Sequence, residues 1–149
     1  MIEMNNEKQY EQLRLDRQLC FPLYVCARQV VNRYTPYLRP LGLTYTQYIV
    51  FMVLWEKDCV TVGEIGKRLM LDNGTLTPML KKLEAQGYIS RCRCSDDERV
   101  VRINLTQKGW DLRERVKDIP AKMAECCTLT QEELETVYRI LYKLLGDYE

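Results

Sequence analysis

"LDNGTLTPMLKKLEAQGYISRCRCSDDERVVRINLTQKG", Leu71 to Gly109, changes its period at Gly87. Before that glycine the apolar residues recur at helical spacing, and Asp72 or Asn73 offers a short side chain able to cap a helix. Gly87 can end that helix in the left-handed conformation. Pro78 lies inside the segment, so a start at Thr77 is the alternative. After Gly87 the pattern alternates. "YISRCRC" and "VVRINL" read as two short strands, with Val101, Ile103 and Leu105 on one face and the charged loop "SDDER" between them. Thr106 then opens another helix.

Upstream, Thr61 with Glu64 and Thr44 with Gln47 both fit capping boxes. The first opens a short helix through Met70; the second opens a helix carrying the apolar run Tyr48 to Trp55. Further back, Leu19, Leu23, Val30, Tyr34 and Leu38 predict a long helix from about Asp16 to Leu38, ended by the punctuation of "RPLGL". Pro22 is comfortable only in a first turn, so this helix either starts near Cys20 or is distorted there. Downstream, a fifth helix is expected from Thr106 to roughly Cys127. Thr130 with Glu133 caps a sixth, with Leu134, Val137, Leu141, Leu144 and Leu145 on one stripe. The fold class expected is mainly α with a small β-hairpin, α+β. Two short helices followed by a hairpin is the order of a winged helix-turn-helix, although bland α+β domains share it.

The totals narrow the function. At 149 residues a single domain is expected. Residues 1 to 18 are polar and charged, unlike a signal peptide, and no apolar stretch reaches membrane-spanning length; a soluble, cytoplasmic protein with no membrane partner is expected. Seven cysteines are an odd count in such a setting, so free thiols are expected rather than a disulfide framework. The chain has no histidine, which removes Ser-His and Cys-His dyads and nearly all zinc enzymes. No cofactor and no metal are expected. Net charge is only +1, so nucleic-acid binding must rest on local distribution. Val62 to Arg102 carries eight Lys or Arg against six Asp or Glu, whereas Leu129 to Glu149 carries two against five. Positive charge thus gathers in the middle.

The stretch from Leu71 to Gly109 closely resembles the multiple-antibiotic-resistance-regulator (MarR) family. That family's recognition helix, D-x-R wing and LT-x-x-G restart occur here as Asp72 to Gln86, Asp97 to Arg99 and Leu105 to Gly109. The resemblance runs from about Leu13 to Leu145. It implies a non-enzymatic regulator, a homodimer on double-stranded, pseudo-palindromic DNA. Residues of about 44–109 would form the DNA-binding core, and about 13–40 and 110–149 the dimerisation helices. An intramolecular core is the alternative use of those apolar faces. Asn73, Thr75 and Thr77 are short enough to reach phosphates or base edges from a helix start. Lys81 and Lys82 suit phosphates, or form a solvated face. Arg99 can enter the minor groove, with Asp97 orienting it. Arg91, Arg93 and Arg102 are either backbone contacts or the solvent side of the strands.

A second set, "QLCFPLY" with Arg28, Tyr34 and "LTYTQY", resembles the organic-hydroperoxide-resistance-regulator branch of that family. The resemblance implies that Cys20 is the oxidant sensor. It makes Tyr34 and Tyr45 the hydroxyls that bond its thiolate, and puts Tyr24 and Arg28 at the pocket's flank. The chemistry suits such residues: a thiolate attacks the peroxide, phenols donate without adding charge, and a helix start adds N–H groups. Phe21 and Leu23 favour an organic hydroperoxide over hydrogen peroxide. If one helix joins Cys20 to Tyr34, fourteen residues at about 1.5 Å each separate their backbones by about 21 Å, so the tyrosine must come from a second subunit.

The remaining cysteines divide. Cys26 reads as packing and Cys59 as incidental. Cys92 and Cys94 resemble half a metal knuckle without a second half. Cys126 and Cys127 are candidate resolving cysteines, because two-cysteine members of the branch carry one near the end of the fifth helix; a small cellular thiol is the alternative. Two competing readings remain: a regulator relieved by a small phenolic ligand, and a thiol-dependent peroxidase, which would leave the wing and recognition helix unexplained.

Overall fold

The computed structural model describes residues 10–93 and 100–146, which fall into two compact units divided between Lys117 and Asp118. The first unit opens with two 3-10 turns, Glu11–Leu13 and Leu15–Arg17, followed by α1 (Cys20–Leu38) and a third 3-10 turn at Arg39–Leu41. Helix α2 (Tyr45–Glu56), β1 (Val60–Thr61), α3 (Val62–Leu69), α4 (Asn73–Ala85), β2 (Ile89–Arg93), β3 (Val101–Leu105) and α5 (Gln107–Val116) complete it. The second unit holds α6 (Ile119–Glu125) and α7 (Gln131–Gly146).

The helix starts follow the capping chemistry. Thr44 with Gln47 and Thr61 with Glu64 form reciprocal capping boxes, and Thr130 with Glu133 does the same. The Asp72 carboxylate accepts the Thr75 N–H at 2.8 Å, so α4 starts at Asn73 and not at Thr77. Pro78 is tolerated inside the helix. Gly87 adopts φ 76°, the left-handed stop that the sequence predicts. Pro22 lies at the third helical position, where its missing N–H costs no intrahelical bond, and Cys20 is the first residue of α1.

Two features depart from expectation. The fifth helix does not run on to Cys127: it divides into α5 and α6 around Lys117 and Asp118. Pro120 cannot donate to the carbonyl four residues back, and it takes instead a first-turn place in α6. The hairpin also gains a third strand. The order is β1-β3-β2, all antiparallel, with Val60 opposite Ile103 and Ile89 opposite Leu105. Asp58 accepts the Leu105 N–H at 2.9 Å, and Arg102 donates to the Cys59 carbonyl at 3.0 Å. These two bonds hold the short β1 beside β3.

Helix α2 is apolar on nearly all sides and lies at the centre of the unit, burying Tyr48, Val50, Phe51, Val53 and Leu54. Around it are Leu38 of α1, Ile65 of α3, Leu76, Leu80 and Leu83 of α4, Ile103 of β3 and Leu112 of α5, all buried. Phe51 stacks on Trp55 and meets Tyr88 edge-on, each at 5.5 Å between centroids. The Trp55 indole donates to the Gly109 carbonyl at 3.0 Å, tying α2 to the first turn of α5. Leu38 is the only buried residue of α1, and α7 buries none. Leu19, just before α1, and Phe21, Leu23, Val30 and Val31 on α1 are exposed, as are Val137, Ile140, Leu141 and Leu145 on α7.

Candidate DNA-binding surface and redox site

Helices α3 and α4 and the β2–β3 pair form the winged-helix arrangement. Asn73 and Thr75 are exposed at the start of α4; Thr77 is half-buried one turn on. The Thr75 hydroxyl donates to Asp72 at 2.9 Å, so its proton serves the helix cap and its oxygen keeps only acceptor capacity for another partner. Asn73 and Thr77 share an open groove of about 360 Å³ with Thr61, Val62, Arg91 and Val101. Lys81 and Lys82 are exposed further along α4.

The three strand arginines separate. The Arg91 N–H donates to Glu84 at 3.1 Å and its guanidinium lies 3.8 Å from the same carboxylate, joining the hairpin to α4. Arg102 is engaged with the Cys59 carbonyl. Arg93 is exposed at the end of β2. Asp97 and Arg99, with Cys94, lie outside the described residues.

Capping makes the start of α4 sensitive to acid. The Asp72 carboxyl lies below its ordinary value because the Thr75 N–H and then the Thr75 hydroxyl bond its charged form. Glu64 is lowered in the same way by Thr61. A carboxyl lowered in the folded state contributes stability above its ordinary pKa, and that contribution is lost as the pH falls through the folded value. The urea midpoint of the wild type is therefore expected to fall between about pH 5 and pH 3. Asp72→Asn keeps the cap without the titration, so its fall is expected to be shallower; an identical slope would contradict this.

Cys20 is exposed at the first position of α1. Tyr24 and Arg28 follow at four-residue intervals on the same face, with the Arg28 guanidinium 5.4 Å above the Tyr24 ring. Tyr34 lies near the other end of the same unbroken helix, about 21 Å along its axis at 1.5 Å per residue. There Tyr34 meets Tyr45 of α2, with ring centroids 4.8 Å apart. The two tyrosines are thus brought together, and within one chain both are far from Cys20. A third ring, which the sequence reading passed over, completes the cluster: Tyr48 lies 5.9 Å from Tyr34 and 6.4 Å from Tyr45. Its spacing of three from Tyr45 was the available signal.

Burial raises the Tyr45 phenol above its ordinary value. Burial, with smaller effects from Tyr34 and Tyr45, pushes Tyr48 up to about 12. Both phenols therefore stay protonated near neutral pH and can act as donors.

Cys126 and Cys127 are exposed at the end of α6, in the second unit, where their N–H groups donate to Met123 and Ala124. Cys92 accepts from the Asn104 amide at 3.2 Å across the hairpin. Among the described residues, no three His, Cys, Asp or Glu side chains gather as a metal-ligand set. No described helix is long and apolar enough to cross a membrane.

Residues 33–116 match the family described as transcriptional regulator SarA/Rot. The chain is 42% identical over 139 residues to the organic hydroperoxide resistance transcriptional regulator of Bacillus subtilis, covering 93% of this chain and 95% of that one. HTH-type transcriptional regulator SarZ of Staphylococcus epidermidis is 42% identical over 123 residues, 83% of each chain. Reduced AbfR bound to DNA has a TM-score of 0.76 at 37% identity, covering 96% of this chain and 99% of that chain. Disulfide-formed AbfR has a TM-score of 0.64 at 36% identity, covering 93% and 98%. With a three-stranded winged helix already in place, these matches fix the family: the chain belongs to the MarR-type winged-helix regulators, DNA-binding transcription factors, in the branch of the organic hydroperoxide resistance regulators.

Proposed function

We propose that this chain is a homodimeric repressor, acting in the reducing cytoplasm, that leaves its pseudo-palindromic DNA when an organic hydroperoxide oxidises Cys20. The observation that carries the reading is the layout of α1. The exposed thiol begins the helix, and Tyr34, packed on Tyr45, stands about 21 Å further along it. Two antiparallel copies of α1 bring the thiol of one to the tyrosines of the other. The apolar residues exposed on α1 supply a surface for such a pairing, and those exposed on α7 supply one within the second unit.

In the sensing step the Cys20 thiolate attacks one peroxide oxygen, the O–O bond breaks, and the alkoxide leaves and takes a proton. Cysteine sulfenic acid and an alcohol result. Tyr34 and Tyr45 hold the thiolate through their hydroxyls; Tyr24 and Arg28 border the approach. The sulfenic acid then condenses with a thiol, releasing water and forming a disulfide. Cys126 or Cys127 of the other copy is the protein candidate, and a small cellular thiol is the alternative. The names of reduced, overoxidised and disulfide-formed AbfR support redox control in this branch.

On DNA, Asn73, Thr75 and Thr77 approach bases or phosphates, Lys81, Lys82 and Arg93 approach the backbone, and Arg99, oriented by Asp97, enters the minor groove. Lys81→Ala or Lys82→Ala is expected to weaken binding about equally on all sequences and to reduce the salt slope of log K by about two, one for each copy in the dimer. Titration between low and moderate salt checks this; an unchanged slope removes that lysine from the contact set.

A stoichiometric oxidation tests the proposal as a whole. A duplex selected from a random pool by the reduced protein is bound, cumene hydroperoxide is added at one equivalent per chain, and DNA release is read with the mass of the Cys20 peptide. Release matching Cys20 oxidation supports the sensor. Sustained peroxide consumption with added dithiothreitol, and no release, would favour the peroxidase reading.

A further inference from the structure

We infer that Tyr48 is a positioning residue of the peroxide sensor, the buried floor that holds the Tyr34 and Tyr45 rings with their hydroxyls aimed at Cys20 of a second copy. The inference rests on the proposed function and assigns a role to a residue outside the resemblance's site set. Tyr48 is only 1% exposed, whereas Tyr34 and Tyr45 are half-buried and reach the surface. It is three residues after Tyr45, on the same face of α2, and it faces Tyr34 of α1 across the helix contact. Its ring lies 5.9 Å from that of Tyr34, tilted 41°, and 6.4 Å from that of Tyr45, tilted 54°, so it neighbours both where α1 and α2 meet.

A donor pair at a reactive thiol depends on direction. A half-buried tyrosine left alone has several rotamers, each of which swings the hydroxyl by several ångströms. Tyr34 and Tyr45 restrict each other, and Tyr48, a ring neighbour of both, restricts them further. The fully buried member needs no access to the oxidant. It acts through the other two rings, and its hydroxyl stays protonated because burial disfavours the phenolate.

The test uses the full-length protein and cumene hydroperoxide at one fixed pH, with the rate of Cys20 oxidation read by peptide mass spectrometry. Tyr48→Met, which fills volume without a rigid ring, is expected to slow oxidation about tenfold while reduced-state DNA affinity stays within about twofold. Tyr48→Phe keeps the floor and is expected to restore the wild-type rate. In a Tyr34→Phe/Tyr45→Phe background, Tyr48→Met is expected to add no further loss, because the route through those hydroxyls is already gone. A wild-type rate in Tyr48→Met, or an undiminished further loss in that background, overturns the inference. If Tyr48→Met does not fold, Tyr48→Phe decides: a rate as slow as that of Tyr34→Phe makes Tyr48 a donor and not a floor. Failure of Tyr34→Phe/Tyr45→Phe to slow oxidation would overturn the sensor reading and this inference together; a slowed double variant with an inert Tyr48 overturns only the latter.

Discussion

Cys20→Ser is expected to bind its selected duplex as tightly as the wild type and to keep that affinity in cumene hydroperoxide, while the oxidised wild type loses about 100-fold, near the upper end of ordinary site-to-site coupling. The side chain is exposed at a helix start, where serine is well tolerated, so stability should change by less than about 0.5 kcal/mol. What serine lacks is a thiolate. The sulfenic acid formed in the wild type would bring oxygen, and then a second thiol, to a position that the proposed pairing of two α1 helices would crowd. Each α1 leads through the 3-10 turn at Arg39–Leu41 into α2, the helix on which α3 and α4 rest, so a change at α1 can alter the spacing of the two α4 helices. Fluorescence anisotropy with and without oxidant makes the comparison. Equal loss of DNA by both proteins would remove Cys20 from the mechanism.

Gly109→Ala is expected to destabilise the first unit by about 3 kcal/mol, since overpacking against backbone cannot be relieved by a rotamer change. A methyl at Gly109 would stand 2.3 Å from the Tyr88 carbonyl oxygen and 2.8 Å from Leu105 Cδ2. The carbonyl is held in place: it accepts the Thr106 N–H at 3.1 Å, while the Thr106 hydroxyl donates to the adjoining Gly87 carbonyl at 2.7 Å. The Gly109 carbonyl is held in turn by the Trp55 indole at 3.0 Å. The LT-x-x-G restart is thus a packing device. Its threonine caps α5 and its glycine lets that helix rest on the backbone at Tyr88. A melting temperature lower by about 10 °C is the expected readout. Gly63→Ala, where the added methyl would meet only the Thr61 hydroxyl at 4.0 Å, should change little and serves as the contrast. Equal melting of the two variants would contradict the packing account.

Local chemistry was the legible part of the fold. Thr44, Thr61, Asp72, Thr106 and Thr130 cap their helices within three or four residues, so each start could be read from a short string. Strand β1 could not be: it has two residues, and its pairing with β3 is supported by bonds from the Leu105 N–H to Asp58 and from Arg102 to the Cys59 carbonyl, each across a sequence gap of more than forty. The break between α5 and α6 was marked by Pro120, but the helical pattern on either side concealed it. Cys20, Tyr34 and Tyr45 came from the resemblance. Their arrangement, with the tyrosines together and the thiol at the far end of α1, required the packing of α1 on α2, as did the contact with Tyr48. The strand arginines were ambiguous for the same reason, since Glu84 and the Cys59 carbonyl become partners of Arg91 and Arg102 only once the hairpin is folded.

The central claim is that each sensor is shared between two chains, and a mixed dimer tests it. One chain carries Cys20→Ser and keeps its tyrosines; the other keeps Cys20 and carries Tyr34→Phe/Tyr45→Phe. Such a dimer holds a single Cys20, whose rate of oxidation by cumene hydroperoxide can be read directly. If the site is shared, that cysteine faces intact tyrosines of the other chain and reacts at the wild-type rate. Reaction at the slow rate of the Tyr34→Phe/Tyr45→Phe homodimer would contradict the account.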